Sequence, residues 1–126
     1  MKETRTFKIP CTKENFYMNF LKIANGVNKL TPVELEILSK LMVVKSKLPE
    51  STADYNPDIQ VFNVETKKTI LTEMGISEEN LNNYIASLKK KNMIVVKDKK
   101  KYINENLFIQ TKDLDEFNIN FQFILN

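Results

Sequence analysis

Gly75-Ile76-Ser77-Glu78-Glu79-Asn80-Leu81-Asn82-Asn83-Tyr84-Ile85-Ala86-Ser87-Leu88-Lys89-Lys90-Lys91-Asn92-Met93-Ile94-Val95-Val96 reads as turn, helix and strand in immediate succession. Gly75 takes φ > 0 without steric penalty, which suits the residue just past a helix end. Ser77 is a good N-cap, and Glu78 and Glu79 place carboxylates at the positive end of a helix. Ile76 and Leu81 hold the N′ and N4 positions of a hydrophobic staple. Leu81, Ile85 and Leu88 then recur at spacings of four and three, one core-facing stripe with Tyr84 at its margin. Asn80, Asn82, Asn83, Ala86, Ser87 and Lys90 are left to face outward. Asn92 serves as a left-handed terminator, and residues 93–97 read as a β-rich strand.

A helix, a glycine-containing turn, a serine, a second helix with small polar outward residues, then a two-stranded hairpin: this succession, from residue 66 to about residue 108, resembles the winged helix-turn-helix family. The resemblance implies an α+β fold with the helix at 78–91 in the DNA major groove and the lysine-rich wing at 97–101 on the backbone. It makes Asn80, Asn82, Asn83, Ser87 and Lys90 the candidate groove residues and Lys97, Lys99, Lys100 and Lys101 the wing contacts. The chain after the wing looks similar to that of phage and bacterial regulators and replication initiators of this family.

Working outward, residues 66–74 read as a short helix capped by Thr66, with Ile70, Leu71 and Met74 inward. Lys67 and Lys68 sit in its first turn, unfavourable for the helix dipole but suited to a phosphate. Upstream, Leu30-Thr31-Pro32-Val33-Glu34-Leu35 carries an unusually complete helix start. Thr31 caps, Pro32 sits at N1, Glu34 completes a capping box, and Leu30 with Leu35 forms the staple. Leu35, Leu38, Leu41 and Met42 mark the inner face of a helix to about residue 47. Residues 48–58 have a loop composition, and 59–64 are expected to form a small strand. Between 14 and 27, Phe16, Phe20, Ile23 and Val27 define a broad apolar helix face with Tyr17, Leu21 and Ala24 beside it. Alternation predicts strands at 5–11, with Cys11 buried or half-buried, and at 117–123. The two are expected to pair, tying the termini together, or to pair across a dimer.

The 126 residues, 42% hydrophobic and 28% charged, suit one ordinary globular domain. Its expected divisions are an N-terminal strand and helix (1–30), a winged-helix core (31–108) and a C-terminal strand extension (109–126). No apolar run reaches membrane-span length and the N-terminus lacks a signal-peptide core, so the expectation is a cytoplasmic protein without a membrane partner. The chain has one cysteine, no histidine and two glycines. That composition removes the usual general base, most metal sites and a phosphate-cradling loop. The expectation is therefore no enzyme, no cofactor and no metal.

Net charge is only +3, but its distribution is uneven. Nine lysines face five acids between residues 63 and 103, whereas Lys112 stands against four acids from 104 onward. The functional expectation is a non-catalytic, sequence-selective DNA-binding protein, a transcriptional regulator or replication accessory factor. Lys67, Lys68, Lys89, Lys90 and the wing lysines contact phosphates, and Asn80, Asn82, Asn83 and Ser87 read base edges. Asparagine pairs bidentately with adenine, so double-stranded, A·T-rich DNA is the expected partner. A homodimer through the N-terminal helix or the terminal strands is the second partner expected. The alternative is a protein-interaction module of the same fold, with Glu78 and Glu79 excluding DNA.

Overall fold

Thr31 opens the helix on which the other elements are assembled. Its side chain accepts from the Glu34 N–H while Glu34 accepts from the Thr31 N–H, so the capping box of the sequence is complete in both directions. A computed structural model describes residues 1–126 as α1 (Phe16–Asn28), α2 (Pro32–Lys47), α3 (Pro57–Val61), α4 (Val64–Met74) and α5 (Glu78–Lys90), followed by β1 (Ile94–Lys97) and β2 (Lys100–Ile103). The two strands form one antiparallel sheet in the register Ile94 with Ile103 and Lys97 with Lys100, so the fold is α+β.

Helix α2 is central because its apolar positions extend beyond one stripe. Leu35, Ile37, Leu38, Leu41 and Met42 are all buried, which lets α1, α3, α4 and α5 pack around it. Tyr17 and Leu21 come from α1, Val61 from α3, Ile70 from α4, Leu81, Ile85 and Leu88 from α5, and Ile94 and Ile103 from the hairpin, to complete one core. The staple and stripe of α5 therefore do what their spacing requires.

The junctions are held by side chains at identifiable capping positions. Asn25 bonds both the N–H and the carbonyl of Leu30, fixing the corner between α1 and α2. Gly75 closes α4 at φ +63° and Ser77 caps α5 by accepting from the Asn80 N–H. Asn92 takes φ +63°, the left-handed conformation expected of it. Asp98 and Lys99 both have positive φ, so the hairpin turn is a tight two-residue one built without glycine.

Several expectations give way. Residues 59–64 are not a strand: Asn56 accepts from the Asp58 N–H and Pro57 occupies N1, so this segment starts a helix, α3. Asp58 is buried there, with Lys45 2.8 Å away and the Ile103 N–H donating to it at 2.9 Å, which ties α3 to α2 and β2. Helix α4 is capped by Asn63, not Thr66, which is buried one turn in. Lys67 and Lys68 consequently lie past the first turn, where the dipole penalty fades, and Glu65 occupies the favourable position instead.

The terminal strands are absent. Residues 1–11 are exposed irregular chain with Cys11 in the open, and 117–123 have no strand partner. Alternation makes a segment capable of pairing, but pairing needs an edge, and the only sheet is the short hairpin. Phe117 instead packs edge-on against Phe16 and Phe20, at 5.5 and 5.8 Å between ring centres. The broad apolar face of α1 is corrected too: Tyr17 and Leu21 are the buried residues, while Ile23 and Val27 are 42% and 75% exposed.

Candidate functional site

The outer surface of α5 follows from its inner one. With Leu81, Ile85 and Leu88 buried, the 100° step of a helix puts Asn83, Ala86 and Lys90 directly opposite, with Glu79 at the N-terminal end of that stripe. Asn82 and Lys89 lie on one flank. Asn80, Ser87 and Lys91 lie on the other, which turns toward α2. Asn80, Asn82, Asn83 and Lys90 are exposed, as expected.

Ser87 is not an outward residue. Its hydroxyl donates to Glu34 Oε2 at 2.5 Å, across the interface with α2. Lys91 reaches the same carboxylate, its ammonium 2.6 Å from Oε1, and also donates to the Lys29 carbonyl at 3.2 Å. Glu34 is thus at once the capping-box acid of α2 and the anchor of α5, with only 1% of its surface exposed. Burial pushes its carboxyl pKa up, but the Lys91 ammonium, the Ser87 hydroxyl and the Thr31 groups outweigh that and hold it at about 2. One charged side chain thereby fixes the rotation and depth of α5 against α2. The sequence signalled only the cap; the long-range partners became visible once α5 was seated.

The hairpin lysines divide into two sets. Lys97, Lys99 and Lys100 are exposed at the hairpin tip, where the resemblance places them. Lys101 is half-buried; it shares a strand face with buried Ile103, two residues on, and with its cross-strand partner Val96, which is 52% exposed. Lys67 of α4 and Lys89 of α5 are the charged groups that act on it. Burial, followed by repulsion from those two lysines, pulls the Lys101 ammonium below the ordinary lysine range. Period-two alternation from Ile103 was the signal that could have found this. Lys68 is exposed on α4.

Around α5 and the hairpin the arrangement thus offers amide donors and acceptors from Asn80, Asn82 and Asn83, and ammonium donors from lysines on α4, α5 and both strands. Lys67, Lys68, Lys89, Lys90, Lys97, Lys99, Lys100 and Lys101 have no carboxylate within ion-pair distance, although five other basic residues do. No cluster of three or more His, Cys, Asp or Glu side chains is placed to hold a metal ion. A polar cleft of about 320 Å³ lies between the end of α2, the start of α3 and β2; Lys45 and Asp58, which face it, are paired with each other, and its other charges are the exposed carboxylates of Glu50 and Glu105. No helix is long and apolar enough to cross a membrane.

Comparison with known proteins gives no match: no family model, no curated protein and no solved structure corresponds to this chain.

Proposed function

We propose that this chain is a non-catalytic, sequence-selective DNA-binding protein of winged helix-turn-helix design, acting as a transcriptional regulator or replication accessory factor. In this reading α4, the Gly75 turn and α5 are the helix-turn-helix, α5 enters the major groove, and the β1–β2 hairpin is the wing on the backbone. The observation that carries it is the uncovered stripe of α5. Asn82, Asn83, Ala86 and Lys90 are all exposed, while the opposite side of the helix is fixed by the core and by Glu34. A rigid helix with an unpartnered amide-rich face, bordered by free lysines on α4 and the hairpin tip, suits direct reading of base edges with backbone phosphates as positioning contacts.

The groove residues are Asn80, Asn82, Asn83 and Lys90, without Ser87, whose hydroxyl is committed to Glu34. Adenine pairing by asparagine favours an A·T-rich duplex. Ala86 at the centre of the stripe lets the helix approach closely.

Reversing two charges tests the reading. Lys90→Glu with Lys100→Glu leaves the core untouched, and duplex affinity should fall at least a hundredfold at about 50 mM salt, where phosphate contacts dominate. Unchanged affinity removes the electrostatic basis of DNA binding.

A second reading rests on the apolar side chains outside the core. Phe7, Phe121, Phe123, Ile124 and Leu125 are between 48% and 91% exposed. The segment around Phe7 carries Lys2, Arg5 and Lys8 against Glu3, which pairs with Arg5, and the one before Phe117 carries Asp113, Asp115 and Glu116 against Lys112. The two segments are complementary in charge and both alternate, so a second copy of this chain is the partner that fits them, each chain's basic arm pairing with the other's acidic one.

A further inference from the structure

Helices α1, α2 and α4 leave a groove of about 780 Å³ between them, with Met18, Val43, Val44 and Ile70 as its apolar floor. None of its lining residues belongs to α5 or to the hairpin, so it is separate from the surface assigned to DNA. Two ion pairs tie its walls together, Lys40 with Glu73 at 2.6 Å and Lys47 with Glu14 at 3.0 Å. Glu65 is the remaining carboxylate of the groove and has no basic partner. The acidic segment that starts at Asp113 leaves from beside the groove. The Lys13 ammonium donates to the Lys112 carbonyl at 2.6 Å and the Lys112 ammonium to the Leu48 carbonyl at 3.4 Å, and Lys13 and Leu48 are chain neighbours of the wall residues Thr12, Glu14 and Lys47.

The N-terminal arm, residues 1–11, is rooted in the same wall. The Thr12 N–H donates to Asn15 Oδ1 at 2.8 Å and the Asn15 N–H to Thr12 Oγ1 at 3.1 Å, and both residues line the groove. Yet Phe7 and Ile9 are exposed, and neither lines the groove of its own chain. Pro10 disfavours a helical conformation at Ile9, so the arm leaves its root extended instead of turning straight back.

We propose that this groove receives the N-terminal arm of a second copy of the chain, each copy giving its arm to the other. The proposal rests on the second-copy reading above and names where the arm is held. In an extended arm Arg5, Phe7 and Ile9 share one side and Thr6 and Lys8 the other. Phe7 and Ile9, about 7 Å apart, cover the apolar floor, and Arg5 on the same side meets the unpaired Glu65. Lys8 is turned toward the acidic residues 113–116 beside the groove. Reciprocal exchange gives both copies the same contacts, as a two-fold interface requires.

The test uses the whole chain, with Cys11→Ser removing its one thiol. A tagged chain carrying Phe7→Cys and an untagged chain carrying Val44→Cys, mixed and oxidised, should give a disulfide-linked heterodimer. Phe7→Cys mixed with Asp54→Cys, in the exposed loop before α3, should not. In sedimentation the wild type should be a dimer, and Phe7→Ser with Ile9→Ser should weaken its association at least tenfold while the far-UV circular dichroism stays the same, since both side chains lie outside the core. A wild type that stays monomeric at about 100 μM overturns the second-copy reading and this proposal together. A dimer that persists in Phe7→Ser with Ile9→Ser, or that gives no heterodimer of Phe7→Cys with Val44→Cys, overturns the groove alone and leaves the second-copy reading standing. A disulfide that forms only inside one chain carrying both Phe7→Cys and Val44→Cys assigns the groove to the chain's own arm and also overturns the proposal.

Discussion

Replacing Lys91 with methionine tests how α5 is seated. The ammonium lies 2.6 Å from a carboxylate that is 1% exposed, so its removal leaves Glu34 charged in the interior with the Ser87 and Thr31 hydrogen bonds but no countercharge. Breaking a buried pair in this way costs about 3–5 kcal/mol; because the Lys91 side chain is itself 32% exposed and solvent screens the pair, the cost is discounted to about 2–3 kcal/mol near neutral pH. The same interaction sets a pH dependence. Glu34 falls from 4.5 to about 2 on folding, which corresponds to about 3 kcal/mol. A carboxyl whose folded pKa is depressed contributes that stability above the unfolded value and loses it as pH falls from about 4.5 through about 2. Urea unfolding followed by far-UV circular dichroism, at about pH 7 and at steps down to about pH 3, measures both effects. Lys91→Met should be less stable at neutral pH, and its stability should fall less steeply across the acid window, because its Glu34 is easier to protonate. A Glu34→Gln and Lys91→Met cycle should give a coupling of at least about 1 kcal/mol. A variant within about 0.5 kcal/mol of wild type at pH 7, with an unchanged acid slope, refutes the argument.

Lys99 sits at φ +64° in the hairpin turn, so Lys99→Gly should stabilise the protein by up to about 1 kcal/mol, read from the urea midpoint. Leu81 is fully buried at the staple position of α5, and Leu81→Ala should cost about 2–5 kcal/mol in the same assay. Phe121→Ser with Phe123→Ser should leave thermal stability nearly unchanged, since both rings are outside the core, and should abolish self-association in sedimentation experiments if the terminal segments join two copies.

How far the sequence carried depended on whether a signal was local. The Thr31 capping box, the Ser77 cap, the Gly75 terminator and the Leu81, Ile85, Leu88 stripe all depend on neighbours within a few residues, and the structure contains each of them. Residues 59–64 suggest a strand although an equally local signal opposes it. Asn56-Pro57-Asp58 is a helix start, and its chemistry outranks the apolar character of Ile59 and Val61. The strands at 5–11 and 117–123 failed for a different reason: alternation describes one strand, and a sheet needs two. The outward placement of Ser87 came from its polarity, whereas its helical angle puts it beside Lys91 on the α2 flank. Charge alone groups Lys101 with its neighbours at the hairpin tip, although the pleat separates it from Lys100. In both cases the geometry of the element, applied residue by residue, was more informative than residue type. Glu34 shows the remaining limit, because no spacing in the chain relates it to residues more than fifty positions away.

The central claim is that the α5 stripe and its lysine borders meet a DNA duplex. The most direct measurement is the affinity of the whole chain for a labelled A·T-rich duplex and for an unrelated duplex of equal length, at about 50 mM and about 200 mM salt. With about six phosphate contacts, affinity should drop about a thousandfold between the two salt concentrations, and the A·T-rich duplex should bind more tightly at both. Absence of binding to either duplex at the lower salt contradicts the account.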